Sequence, residues 1–263
     1  MSCIHIPHIK PDENIEQILS ALLSTICKCQ VCQTVPELVS DSHNNNELFT
    51  SLLHAFAKTT IPEINCDKFE KAKDTVSFQL DNESVSEAIS KIETSLFRHP
   101  EIHSLRNPIS YLLGELICNT QQHSQAETGM VFASFNEFTN TVDVFIADNG
   151  ISIYGSYIYA QKYMDKFSNP AEALDLASKG FSTKNLPNAE NRGYGISSNA
   201  KMIVNGLYGT FSIISNNAFY HFSTTREITL SLPEDITWNG SIIIARIPVA
   251  VPNTFDFYKY ISL

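Results

Sequence analysis

The sequence predicts an α+β fold with helices layered on a sheet, and three observations lead there. Helical periodicity fills the segments before and between a hairpin-like pair of strands. Strand-like alternation gathers in the last third of the chain, where one strand pattern follows another. A repeating βαβ winding fits the pattern less well, and no GxxxxGK[ST] phosphate loop occurs. At 263 residues the chain holds one large domain, or one with a smaller appendage, and its 43% hydrophobic content suffices for a packed core.

Residues 1–73 read as the appendage, regulatory or partner-binding. A short strand, Ile4–Ile9, precedes a helix from about Asn14 to Lys28 with Ile15, Ile18, Leu22, Leu23 and Ile26 on one side. The polar stretch SDSHNNNE is a loop, and a second helix runs roughly from Glu47 to Lys58. Cys27, Cys29 and Cys32 are close enough for zinc, with Cys66 or a histidine as fourth ligand. The same cysteines end an apolar helical pattern where thiols serve as small hydrophobes, and no second paired Cys or His motif completes the set. All six cysteines, Cys3 and Cys118 included, fit a reducing compartment as free thiols.

From Asp74 to about residue 250 the pattern becomes that of a compact domain, followed by a tail, 251–263. Thr75–Leu80 alternates like a half-buried strand. Asn82 or Ser84 then caps a helix that aligns Val85, Ile89, Ile92 and Leu96. Asn107–Pro108 opens the next helix, with Asn as the cap and Pro in the first turn. A hairpin follows, Met130–Phe135 with Thr141–Ala147, then an irregular stretch and a helix near Ala171–Ala177. Gly193 and Gly195 break the chain before a helix from Ile196 to Val204. Four strands close the pattern: Thr210–Ser215, Phe219–Ser223, Arg226–Leu232 and Ser241–Pro248.

A formal net charge of −10 argues against a nucleic-acid groove, which needs clustered Lys and Arg. No apolar run approaches the roughly 20 residues of a bilayer span. The start, MSCIHIPHIK, lacks the basic and apolar regions of a signal peptide. A cytoplasmic protein is expected.

Chemistry concentrates in four stretches. LLGELICNTQQHS, Leu112 to Ser124, sets Glu115, Asn119 and His123 four residues apart, so an acid, an amide and an imidazole share one helical stripe. ADNGIS, Ala147 to Ser152, ends an apolar strand; Asp148 there can accept from an exocyclic amine, and Gly150 lets backbone approach a flat ring. KGFSTK, Lys179 to Lys184, offers the Thr183 hydroxyl and the Lys184 ammonium to phosphate oxygens. NRGYGI, Asn191 to Ile196, places Arg192, Gly193 and Gly195 before a helix whose free N–H groups suit an anion.

This ordered set resembles the GHKL superfamily of ATPases, which includes gyrase, heat-shock chaperone ATPases, mismatch-repair ATPases and histidine kinases. The acid–amide helix resembles their N-box, DNGIS their first glycine box, RGYGI their second, and KGFSTK a short nucleotide lid. The layout is most similar to that of anti-sigma-factor serine kinases. The resemblance spans Asp74 to Val249 and implies a two-layer α/β sandwich on a mixed, mostly antiparallel sheet, the Bergerat-type fold. It implies ATP and Mg²⁺ as cofactors, and either hydrolysis or phosphoryl transfer to a protein partner, with a homodimer as one assembly. Glu115 would orient or deprotonate the nucleophile, and Asn119 would supply the magnesium ligand. Asp148 would read the adenine amine above Gly150. Gly193 and Gly195 would frame the phosphates, with Thr183, Lys184 and Arg192 offsetting charge. His123 would either contact phosphate or pack the helix. Ser152 stands where the first box usually has its second glycine, which raises a non-catalytic, nucleotide-dependent binding module as the alternative.

Two further features bear on function. His103-Ser-Leu-Arg-Asn-Pro-Ile-Ser resembles the phospho-accepting motif of sensor histidine kinases, but it stands only twelve residues before Glu115. A helix rising about 1.5 Å per residue does not easily fold His103 back onto that site, which leaves transfer from a second molecule as the route to it. Tyr154, Tyr157, Tyr159 and Tyr163, with the tail FDFYKYISL, read as packing for the lid and last strand, or as a partner surface if exposed.

Overall fold

Alternating residues at Thr75 start a sheet that the rest of the domain is built upon. The computed structural model describes residues 75–126, 128–137, 139–148, 150–183, 194–231 and 238–261. The expectations for residues 1–73, the cysteine cluster among them, lie outside this set. So do Lys184, Arg192 and Gly193.

In chain order the strands are β1 (Thr75–Gln79), β2 (Thr128–Asn136), β3 (Thr141–Asp148), β4 (Thr210–Asn216), β5 (Ala218–Phe222), β6 (Glu227–Ser231) and β7 (Trp238–Pro248). They form one seven-stranded sheet in the order β1-β2-β3-β7-β4-β5-β6. Every pairing among them is antiparallel, where the resemblance implied a mixed sheet. The last strand in sequence is thus inserted at the centre. Antiparallel register aligns Val76, Val131, Ile146, Ile243, Ile213 and Tyr220 in one row across the sheet, and this row faces the main core.

The helices are α1 (Asn82–Leu96), α2 (Arg106–His123), α3 (Ser152–Ala160), α4 (Pro170–Ser178), α5 (Tyr194–Lys201) and α6 (Tyr258–Ile261). On α1, Val85, Ala88, Ile92 and Leu96 are buried at helical spacing. On α2, Ile109, Leu112, Leu113, Leu116 and Ile117 do the same. Both helices press these stripes into the cluster that holds the aligned row. The result is an α+β fold.

Differences from the sequence reading are local. Asp81, not Asn82 or Ser84, caps α1: its Oδ1 accepts from the Ser84 N–H at 2.8 Å. A 3₁₀ helix, Pro100–Leu105, runs straight into α2, so Asn107 lies inside the first turn and caps nothing. The helix expected over Ile196–Val204 is α5 followed by a π turn, Met202–Gly206. The stretch expected to be irregular contains α3, whose apolar and aromatic side chains lack a clean stripe because they are shared between two buried clusters.

Tyr154, Tyr157 and Tyr163 pack with Phe167 in the smaller of these clusters. Tyr159 is 71% exposed and packs on neither. In the tail, Phe255, Phe257 and Tyr260 lie against the main core, while Tyr258 faces outward. No described helix is long and apolar enough to cross a membrane.

Candidate functional site

Strand β3 ends at Asp148, and what surrounds that carboxyl group defines the site. Gly150, two residues on, donates its N–H to Asp148 Oδ1 at 2.9 Å. The Ile151 N–H donates to the Ser124 carbonyl at 2.7 Å, tying the end of β3 to the end of α2. The approach is so close that a Cβ on Gly150 would stand 1.9 Å from that carbonyl oxygen. The polypeptide thereby joins the tip of the acid–amide helix to the strand carrying the aspartate.

Asp148 is 5% exposed. Burial pushes its carboxyl up to about 7, and the backbone N–H groups of Gly150 and Ser241 offset only part of that shift. A carboxyl group held this way is suited to receive a donor from a ligand.

Above it lies a cavity of about 350 Å³, lined by Glu115, Asn119 and His123 from α2, with Asp148 at the end of β3. Ser152, Ser156 and Tyr157 of α3 contribute another wall, Phe181 to Thr183 a third, and Gly195 of α5 a fourth. The stripe read from the sequence therefore faces a concavity, because the apolar residues of α2 take the opposite side. Ion-sized detail follows at the α2–α5 contact. A Cβ on Gly195 would stand 2.0 Å from Asn119 Nδ2, so the glycine is what admits the amide there.

Thr183, read as a phosphate-side residue, and His123, read either as one or as helix packing, meet each other: Thr183 Oγ1 lies 2.9 Å from His123 Nδ1 and 3.2 Å from Ser156 Oγ. The Tyr157 hydroxyl donates to the Phe181 carbonyl at 2.5 Å. These bonds hold the segment 181–183 beside the cavity. Of the residues singled out by sequence, Glu115, Asn119, His123, Asp148, Thr183 and Gly195 line this one cavity, and Gly150 abuts it. Lys184, Arg192 and Gly193 lie outside the described residues.

Ser152 takes φ +64°, the left-handed conformation that glycine favours. Its Oγ accepts from the Gly155 N–H at 3.2 Å and closes the first turn of α3. The serine thus follows a backbone path that the resemblance reserved for glycine.

Three residues escaped sequence reasoning. Gly240 on β7 backs onto Asp148, leaving no room for a Cβ, which would meet Asp148 Oδ1 at 2.6 Å. Ser215 donates to the Gly240 carbonyl at 3.0 Å and pairs with Ser241 at 2.9 Å, while its Oγ accepts from the Ile153 N–H at 2.9 Å. A register shift at Ser215/Asn216 marks the spot. The only available signal was the Asn-Gly-Ser run at the start of β7, an ordinary turn sequence.

His103 stands outside the site, with its Nε2 bonded to the Phe97 carbonyl at 3.1 Å. Among the described residues no group of three or more His, Cys, Asp or Glu could hold a metal. A divalent cation here would take the Asn119 amide oxygen and complete its shell from ligand oxygens and water, the habit of Mg²⁺. No family model and no curated protein matches this chain.

Proposed function

We propose that this protein binds Mg-ATP in the cavity above Asp148, as a GHKL-type ATPase or protein kinase with a Bergerat-type fold. One observation carries the reading: a single cavity of about 350 Å³ gathers the buried Asp148, the Glu115–Asn119–His123 stripe and Gly195. Its volume is in the range of small-molecule sites, about 300–1,000 Å³.

Bound Mg-ATP would supply an exocyclic amine, a metal ion and a transferable phosphoryl group. Asp148 accepts the amine. Asn119 offers the metal an oxygen, and Glu115 orients or deprotonates the hydroxyl of water or of a protein partner. The conformation of Ser152 leaves the backbone at the first glycine box as a glycine would, which favours an active protein over a purely binding module.

Titration calorimetry with ATP and Mg²⁺ tests binding. Asp148→Asn and Asn119→Ala are each expected to weaken affinity at least 10-fold, and equal heats in all three proteins would remove the proposal. Phosphate release then separates the two activities. A rate that Glu115→Ala lowers by 100-fold or more supports catalysis, whereas a background rate that the change leaves alone favours the binding module.

A further inference from the structure

The end of α2 carries a cluster that the proposed roles of Asp148, Asn119 and Glu115 leave unused. Thr183 Oγ1 stands between His123 Nδ1 and Ser156 Oγ, so one chain of hydrogen bonds joins α2, the segment 181–183 and α3. All three residues line the cavity. The direction of the chain depends on the imidazole tautomer. With a proton on Nδ1, Thr183 accepts from His123 and donates to Ser156. Without one, Ser156 donates to Thr183, and Thr183 to His123. Either way each hydroxyl oxygen keeps at least one lone pair that the chain does not use.

We infer that this cluster is the sugar subsite of the cavity, taking the hydroxyls of a ribose and so favouring ribonucleotides over their deoxy counterparts. The inference rests on the Mg-ATP reading above. Position along α2 carries it. Ser124, next to His123, accepts from the Ile151 N–H at 2.7 Å, beside the Gly150 N–H that bonds Asp148. The last turn of α2 therefore stands at the end of the cavity where Asp148 would take the base. Asn119, which offers the metal its oxygen, lies one turn back, about 6 Å along the axis, and Glu115 about 6 Å further. His123 thus falls between the base end and the metal ligand. In a nucleotide the group between base and phosphates is the sugar. The chemistry agrees. Two neutral hydroxyls with spare lone pairs match the O–H donors of a vicinal diol, whereas phosphate oxygens only accept. Among the described residues no Lys or Arg lines the cavity. A site that bonds a substrate hydroxyl rejects the analogue lacking it, because its own polar groups are then left unpaired.

Titration calorimetry on the full chain with ATP, 2′-deoxy-ATP and 3′-deoxy-ATP, each with Mg²⁺, tests the assignment. At least one deoxy nucleotide is expected to bind the wild type about 10-fold more weakly than ATP. Thr183→Val removes the hydroxyl at nearly constant shape. It should bring ATP down to the level of that deoxy nucleotide while leaving the deoxy nucleotide within about 2-fold of its wild-type affinity. Ser156→Ala is expected to narrow the same gap, and it decides the matter if circular dichroism shows Thr183→Val to be unfolded. Equal affinities for all three nucleotides in the wild type would overturn the sugar subsite while leaving Mg-ATP binding intact. So would a folded variant in which ATP and the deoxy nucleotide weaken by the same factor, the mark of a phosphate contact or of packing alone. A wild type that gives no heat with any of them removes the Mg-ATP reading itself, and the subsite with it.

Discussion

Ionising a carboxyl group that has almost no contact with water is costly, and Asp148 illustrates the consequence at the scale of one residue. Its folded-state value, about 7, lies above the 3.8 of an unperturbed aspartate. Between those two values the native state holds a proton that the unfolded chain releases. Stability from this group is therefore complete below about pH 4 and is lost as pH rises through 7, with an upper limit of about 4 kcal/mol. Thermal melts from pH 5 to 8 should show that decline in the wild type, and Asp148→Asn should flatten it. A ligand donor that bonds the carboxylate favours its ionised form, so nucleotide binding near pH 6.5 should release a proton. Calorimetry in buffers of different ionisation enthalpy reads that release directly. Ser152 makes the second case at this scale. A left-handed φ costs an ordinary residue about 1–2 kcal/mol, partly offset here by the Oγ bond to Gly155. Ser152→Gly should thus stay within about 1 kcal/mol of the wild type, and Ser152→Val should destabilise by about 2 kcal/mol or more in urea titrations.

Elements meet at backbone contacts that leave little tolerance, and the α2–α5 contact decides how the site is assembled. An added methyl at Gly195 would press on the end of the Asn119 side chain, which can swing aside, and not on backbone. Gly195→Ala should accordingly cost under about 2 kcal/mol in stability; under the proposed Mg-ATP reading it should also remove any magnesium dependence of nucleotide binding, compared by titration with and without the metal. At Gly150 the obstacle is the Ser124 carbonyl itself. Gly150→Ala should open the joint between α2 and β3 and destabilise by about 1–3 kcal/mol. Most elements were legible from periodicity alone: α1, α2, α4 and the strand pairs fall within a few residues of their expected ranges. α3 was not, because its side chains are divided between two clusters and show no single stripe. The cap at Asp81 was missed by one residue, since Asp81, Asn82 and Ser84 are all capable caps and only the backbone turn selects among them.

Across the whole molecule, stability rests on the central strands β3, β7 and β4, which pair segments distant in sequence. Ile213, fully buried at the middle of β4, should cost about 2–5 kcal/mol on change to Ala. Tyr208 and Tyr258, both mostly exposed, should each cost under about 0.5 kcal/mol on the same change. Urea denaturation monitored by fluorescence gives both numbers. The sequence by itself determined the α+β class, the helical stripe of Glu115, Asn119 and His123, and the candidate aspartate, because each depends on spacing within one segment. Tertiary structure decided that the stripe and the aspartate border one cavity, that Gly240 and Ser241, themselves bonded by Ser215, back the carboxyl group, and that its acidity is depressed. Those outcomes depend on β7 entering between β3 and β4 and on water being excluded there. Burial is a property of segments brought together, and no local pattern in the chain encodes it.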